Sequence, residues 1–385
     1  MGDIYISKLI IENVRHLKNI QIPLSEEMPK HLILTGKNGS GKTSVLEAMA
    51  QYLEVASGAI FNYMRPEKRP SDLKDGVCIE FNERTDILKN CFMNGQFVLA
   101  YYKANRIFRA EISRHIEKIS FKKQYAMDEQ PRTLFVKYLA DLKVTEALAR
   151  NSGKQEKADE IKLWFEKFQE LLRKIFEEDS LELVFDEESF SFMIQQKNRE
   201  PFDFNTLSSG FAAVLDIVLD LIVRMEKQSN RSFTFNMPGI VLIDEIETHL
   251  HLDVQKTILN MLTTLFPNIQ FIVSTHSPFI LNSLENVVIY DLENNTIVEN
   301  GLTNVPYSGI VEGYFNTNEL SSRLQEKFDR YKVLVEKPEL TDDDFEEIAE
   351  LELFLEEIPD YLALNLTTEY QRLKMELEHR EDMDD

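Results

Sequence analysis

Residues 31–43 read His-Leu-Ile-Leu-Thr-Gly-Lys-Asn-Gly-Ser-Gly-Lys-Thr, and they decide the fold. The run 31–35 is short and apolar and reads as a strand. Gly36 to Thr43 then fits G-x-x-x-x-G-K-[ST] at every fixed position. From Val45 to Val55 the period turns helical, with Val45, Leu46, Met49 and Leu53 on one face. A strand, a glycine-rich turn and a helix in that order predict a phosphate cradle. Gly36, Gly39 and Gly41 let the backbone curl until successive N–H groups face an anion. The helix N-terminus adds partial positive charge at the same point. Lys42 is expected to reach the β- and γ-phosphates of ATP, and the Thr43 hydroxyl to ligate Mg²⁺. Lys37, Asn38, Ser40 and Ser44 complete the candidate nucleotide-binding loop.

Further along, two buried strands end in chemistry. Ile240-Val-Leu-Ile is followed by Asp244 and Glu245, and Phe271-Ile-Val-Ser-Thr by His276. A helical period over 253–265 lies between them, so strand, helix and strand predict a parallel sheet with crossover helices. Ligands of such sheets bind at the C-terminal strand ends. Asp244 is therefore a candidate Mg²⁺ ligand, and Glu245 a candidate to orient or deprotonate the attacking water. His276 is a candidate contact to the γ-phosphate. Taken alone, two acids can simply end a strand and a lone histidine can be structural; the joint occurrence with the phosphate cradle favours function.

Other strands are expected at 4–12, 20–24, 77–81 and 97–102. Helical runs at 133–150 and 156–177, broken at Asn151-Ser152-Gly153, predict a helical hairpin. Residues 181–185 and 190–194 alternate like a β-hairpin, and a helix follows at 211–226.

Thr206-Leu-Ser-Ser-Gly210 precedes that helix. With it, the ordered set resembles the ABC ATPase class, in particular its SMC/RecF/OLD-like branch. That branch has a P-loop, a leucine-serine-glycine signature, an Asp-Glu strand, a D-loop and a His switch in this order. Asp244-Glu-Ile-Glu-Thr-His-Leu-His251 resembles its Asp-Glu-Pro-Glu…Leu-His pattern. Asn13-Val14-Arg15 resembles its Asn-Phe-Arg opening, which implies a nucleotide contact from Arg15. The likeness covers about residues 1–310. It departs at Ser209, where the first signature Gly is usual, at Phe211 and at Ile246. No Q-loop glutamine stands out; the loop is expected near Tyr101 to Arg106. The implied fold is α/β: a P-loop ABC-type ATPase head with a mixed sheet, a short helical hairpin insertion at 130–180, and a helical C-terminal extension over 311–385.

Composition narrows the rest. The net charge of −23 argues against a protein coated in nucleic acid, whose binding is driven by Lys and Arg. Residues 316–385 hold 22 acidic and 8 basic residues, and aromatic and leucine residues there recur at helical spacing. Two or three acidic amphipathic helices are expected. Asp342-Asp343-Asp344 reads as a helix start rather than a metal site. His249 and His251 lack an evident third ligand. Lys103 to Lys123 is locally basic through Lys103, Arg106, Arg109, Arg114, Lys118, Lys122 and Lys123, which fits either a DNA contact or a solvated face. Two cysteines, Cys78 and Cys91, suit a reducing cytoplasm, and no apolar run is long enough to span a membrane.

In the resembled class a signature motif caps ATP held by a second subunit. The likeness therefore implies a homodimer, or higher homo-oligomer, in which Ser208, Ser209 and Gly210 act in trans. The inserted hairpin is too short for a DNA-spanning arm, and no nuclease constellation follows His276. The compact members that this chain resembles, Septu- and PARIS-type ATPases, imply bacterial anti-phage defence beside a separate effector, a nuclease. A RecF-like DNA-binding ATPase and a scaffold assembled through the tail are the alternatives.

Overall fold

The computed structural model describes residues 4–58, 76–106, 108–111, 117–311, 322–356 and 364–378. Arg114 of the basic stretch lies outside them. The chain divides into two compact units, Met1–Tyr307 and Ser308–Asp385.

The first unit is built on a six-stranded sheet of order β12-β11-β3-β10-β9-β5. Its strands are β3 (His31–Thr35), β5 (Val98–Tyr102), β9 (Gly239–Ile243), β10 (Ile269–Ser274), β11 (Val287–Asp291) and β12 (Thr296–Val298). β11, β3, β10, β9 and β5 run parallel, and β12 is antiparallel to β11. β9, β10 and β11 are buried along their whole length, which is why β9 and β10 read as apolar runs rather than as alternation; β11 was not foreseen in the sequence. The sheet is mixed, as expected. The hairpin partner β12 and helix α2 (Thr85–Met93) are additions that the sequence reading did not contain.

Helix α1 (Lys42–Ser57) leaves β3 through the glycine-rich turn and buries Val45, Leu46, Met49 and Leu53 in the core. Against α1 lies an antiparallel sheet of β1 (Ile6–Val14), β2 (Leu17–Pro23) and β4 (Val77–Phe81), in the order β2-β1-β4. One buried amide ties the two sheets together. Gln270 of β10 accepts from the Ile6 amide at 2.7 Å and donates to the carbonyls of Ile6 at 3.0 Å and Lys30 at 2.7 Å.

The inserted hairpin is α3 (Phe135–Asn151) and α4 (Gln155–Phe176), turned at Gly153 with φ of 73°. Trp164 anchors it, packed among Phe135, Tyr138, Phe168 and Phe233. A small sheet of β6 (Glu182–Asp186), β7 (Ser191–Gln195) and β8 (Phe202–Asp203) leads into α5 (Ser209–Ser229). After β9 come α6 (Leu252–Leu265), the short α7 (Pro278–Leu281) and a single turn, α8 (Tyr307–Gly309).

The second unit contains α9 (Ser322–Val335), α10 (Asp342–Glu356) and α11 (Leu364–Glu378). Phe328, Tyr331, Ile348, Leu351, Tyr370 and Leu373 are among the residues of its own core. Thr341 and Asp344 form a capping box at α10. The Thr341 amide donates to Asp344 at 2.8 Å, and the Asp344 amide faces the Thr341 hydroxyl at 3.4 Å. Lys337, then the Thr341 amide and hydroxyl, hold the Asp344 carboxyl well below the usual range. Among the described residues, no group of three or more His, Cys, Asp or Glu side chains is placed to hold a metal.

Candidate functional site

Because β3, β10, β9 and β5 are parallel neighbours, the segments leaving their C-terminal ends share one edge of the sheet. The phosphate cradle follows β3, His276 follows β10, Asp244 and Glu245 follow β9, and Lys103 to Arg106 follow β5.

The cradle is shaped by left-handed glycines, Gly36 (φ 128°), Gly39 (φ 85°) and Gly41 (φ 102°). Gly41 has a second reason to be glycine. A Cβ there would stand 2.8 Å from Leu17 Cδ1. The turn between β1 and β2 is thus seated on the start of α1, and it brings His16 beside the cradle. Arg15 is exposed with φ of 55°. A cleft of about 730 Å³ adjoins the loop, lined by His16, Lys18, Asn38, Ser40, Tyr290 and Asn295 among others. Lys37 is held by Glu293, which takes both its amide, at 3.2 Å, and its ammonium, at 2.9 Å. Ser44 lies in the first turn of α1, a turn without acidic residues.

Lys42 is buried, and its ammonium donates to the carbonyls of Gly36 at 2.7 Å and Lys37 at 3.1 Å. Burial pushes its pKa down, opposed by Glu245, Glu247, Asp244 and Asp291. The Thr43 hydroxyl meets Asp244 at 2.9 Å from Oδ2 and 3.2 Å from Oδ1. Ser274 holds the same carboxylate from the other side at 2.6 Å. A hydroxyl and a carboxylate, both hard oxygen donors, fit Mg²⁺, which takes one or two protein oxygens beside phosphates and waters.

Glu245 sits next to them with φ of 44°, its amide donating to Ser274 Oγ at 2.7 Å and its carboxylate accepting from Thr248 at 3.1 Å. His276 presents an Nε2 that is buried and has no hydrogen-bond partner. Burial and then Lys42 lower its pKa, so the imidazole is neutral and offers one N–H. Ser40 Oγ, in the cradle itself, is also buried without a partner.

Glu247 is a residue that the sequence reading left without a role. Its carboxylate accepts from the Thr275 hydroxyl at 2.8 Å and from the His276 amide at 2.6 Å. It therefore fixes the backbone that carries His276. Its place two residues after Glu245 was visible, but its partners lie 28 and 29 residues on.

Ser208 and Ser209 are exposed at the N-terminus of α5, and the Ser208 side chain makes no capping bond. Gly210 is buried against the loop after β9: a Cβ there would lie 3.1 Å from the His249 carbonyl. The start of α5 and the 245–251 loop thus form one surface.

The basic stretch divides. Arg109, Lys118, Lys122 and Lys123 are exposed, and Lys122 pairs with Glu129. Arg106 is 3% exposed and belongs to the interior. Neither it nor the segment around it supplies a Q-loop glutamine.

Two family models match. "AAA domain, putative AbiEii toxin, Type IV TA system" covers residues 99–282, and "AAA ATPase domain" covers residues 4–140. Septu protein PtuA of Bacillus mycoides (strain KBAB4) is 25% identical, across 90% of this chain and 50% of its own length. The Retron Ec83 probable ATPase of Escherichia coli is 32% identical over 148 residues, 38% of this chain and 26% of its own. The chain thus spans half of the first relative and about a quarter of the second. Among solved structures, the SMC head in complex with the C-terminal winged-helix domain of ScpA overlays with a TM-score of 0.43 at 17% identity. That overlay covers 78% of this chain and 100% of the head. The chain thus matches two models of AAA-type ATPase domains, each over less than half of its length, and is similar to Septu protein PtuA and to a retron probable ATPase.

Proposed function

We propose that this chain binds ATP with Mg²⁺ between its glycine-rich loop and Asp244, hydrolyses it with Glu245, and regulates a separate effector protein by opening and closing a homodimer. The observation that carries the reading is the meeting of Thr43 with Asp244 beside the buried ammonium of Lys42. No local sequence pattern requires those three groups to converge.

The amides of the loop and the N-terminus of α1 hold the phosphates, and Lys42 leaves its two carbonyls for the β- and γ-oxygens. Thr43 and Asp244 would hold Mg²⁺, which would supply charge neutralisation for the phosphates. The Glu245 carboxylate, fixed by Thr248, orients the attacking water and accepts its proton. His276 donates its N–H to the γ-phosphate and reads whether it is present.

Ser208, Ser209 and Gly210 cap the nucleotide of a second copy. Exposed hydroxyls at the N-terminus of a 21-residue helix suit an anion delivered from outside the chain. ATP then touches both copies, so its binding shifts the population toward the closed dimer and its hydrolysis releases it. The likeness to Septu PtuA supports a role in anti-phage defence beside a nuclease effector. Withdrawal of Arg106 from the basic stretch weakens the alternative of a DNA-clamping ATPase.

Light scattering on Glu245→Gln with saturating Mg-ATP tests the reading. A dimer that returns to monomer without nucleotide is expected; a monomer under both conditions overturns it.

A further inference from the structure

Glu245 occupies a left-handed backbone conformation, which a non-glycine residue keeps only where its surroundings hold it. Ser274 holds its amide. Arg106 holds the carbonyls. Its Nη1 donates to the carbonyl of Asp244 at 2.7 Å, and its Nη2 to those of Glu245 at 2.9 Å and Ile246 at 3.2 Å. Three successive carbonyls therefore converge on one buried guanidinium. A further bond from Nη1, to the Lys103 carbonyl at 3.1 Å, ties this clamp to the end of β5.

One donor of Arg106 is left over. Its Nε is buried and has no partner. On α5, Oδ2 of Asp216 is also buried and has no partner, while Oδ1 takes Nε of Arg132. Burial pushes the pKa of Arg106 down, and Asp216 is first among the acids that oppose it, ahead of Glu247, Asp244 and Glu245. A buried unspent donor and a buried unspent acceptor are thus held on residues whose charges act on each other. The donor belongs to the residue that shapes the Glu245 turn. The acceptor lies about two turns into the helix that begins at Ser209.

We propose that Arg106 is a positioning residue that sets the turn aiming Glu245 and, through Asp216, makes that turn respond to the placement of α5. This rests on the ATPase reading above and adds to it a route from the signature helix to the hydrolytic carboxylate. The chemistry favours arginine. A guanidinium stays charged and offers donors in a fixed planar fork, so it can serve three carbonyls at once. A lysine brings one point charge on a flexible stem and cannot reproduce the fork. A neighbouring copy that shifts α5 on binding Ser208 and Ser209 to its ATP would move Asp216 toward or away from Nε. The change would reach Glu245 through the backbone.

The test compares wild type with Arg106→Gln, Arg106→Lys, Asp216→Asn and the double variant Arg106→Gln/Asp216→Asn. Mg-ATP affinity is read by calorimetry and kcat by phosphate release. Arg106→Gln is expected to lose about tenfold or more in kcat while Kd for ATP stays within about threefold, because the phosphate-binding side chains are untouched. Arg106→Lys restores only part of the loss. Asp216→Asn lowers kcat in the wild-type background and has less effect in Arg106→Gln, because the two act as one unit. Unchanged kcat in Arg106→Gln, or fully additive effects, overturns the proposal. So does a fall in kcat matched by an equal fall in ATP affinity. If Arg106→Gln does not fold, Arg106→Lys and Asp216→Asn decide by the same criteria. A wild type that binds ATP without hydrolysing it sinks the ATPase reading instead. The clamp is then decided by hydrogen exchange at the amides of residues 246–249: about tenfold faster exchange in Arg106→Lys supports it, and unchanged exchange overturns it.

Discussion

The hydroxyl of Thr43 lies 2.9 Å from Oδ2 of Asp244, although 201 residues separate them in the chain. The distance follows from strand order. β3 and β9 flank β10 in one parallel sheet, so the residues that leave their C-terminal ends arrive side by side. Asp244→Asn is expected to bind ATP in EDTA as wild type does, and to lose the added affinity that Mg²⁺ gives. Lys42→Ala removes a buried cation from the phosphate site and weakens binding with or without Mg²⁺, by about a hundredfold or roughly 2.7 kcal/mol. Calorimetric titrations under both conditions separate the two effects. Equal loss of affinity in EDTA for both variants would refute the division of labour.

Glu245 contributes to the chemical step and not to holding the nucleotide. Glu245→Gln keeps the shape and the Thr248 contact but removes the base. Its kcat should fall by about two orders of magnitude or more, with ATP affinity within about threefold of wild type. The trapped nucleotide should then make the dimer long-lived in light scattering. Ser209→Arg, which places bulk and charge on the exposed start of α5, should abolish that dimer while leaving ATP binding intact. A Ser209→Arg chain that dimerises normally would mean that the copies meet through another surface.

His276 makes a prediction about pH. Burial and Lys42 lower its pKa, so the ring keeps its neutral form to a pH below the ordinary histidine value near 6.5. Any loss of hydrolysis on account of His276 should therefore be centred below that value. His276→Asn keeps a neutral N–H donor and does not titrate, so it should reduce kcat and remove only such acid loss as is centred below about 6.5. An acid limb centred near 6.5 in wild type that vanishes in His276→Asn would contradict a neutral His276.

These residues were legible for unequal reasons. The loop from Gly36 to Thr43 is a local pattern whose chemistry and setting are written in consecutive residues. Asp244, Glu245 and His276 were readable because a continuous apolar run signals a buried parallel strand, and such strands end at the site. Arg106 was misread as part of a basic face. Its partners are the carbonyls of residues 138 to 140 positions away, and backbone acceptors leave no trace in a sequence. Asp216 and Asp220 interrupt the otherwise apolar helix α5. They are fully buried, with Asp216 bound by Arg132 and Asp220 shared among Arg132, Arg224 and Tyr102. Two acids on one face of an apolar helix do announce that partners exist, because a lone buried charge is too costly. They do not say which arginines supply them. β12 and α2 were missed because neither carries chemistry that draws attention to so short a segment.

The last prediction concerns stability and a different histidine. His31 opens β3, and its Nδ1 accepts the Phe271 amide of β10 at 3.0 Å, a bond open only to the neutral ring. Burial lowers its pKa to about 4, against about 6.5 in an unfolded chain. The unfolded chain therefore takes up the proton first as the pH falls. The stability contributed by neutral His31 is complete above pH about 6.5 and is lost progressively down to about 4, a total on the order of 3 kcal/mol. His31→Asn offers an amide oxygen to the same N–H and does not titrate. Urea midpoints should then differ between wild type and His31→Asn at pH 7, and the gap should move in favour of the variant by pH 4.5. Equal displacement of the two midpoints over that range would show that His31 is not the group that titrates. The acid sensitivity would then belong to the carboxylates and to other histidines such as His276.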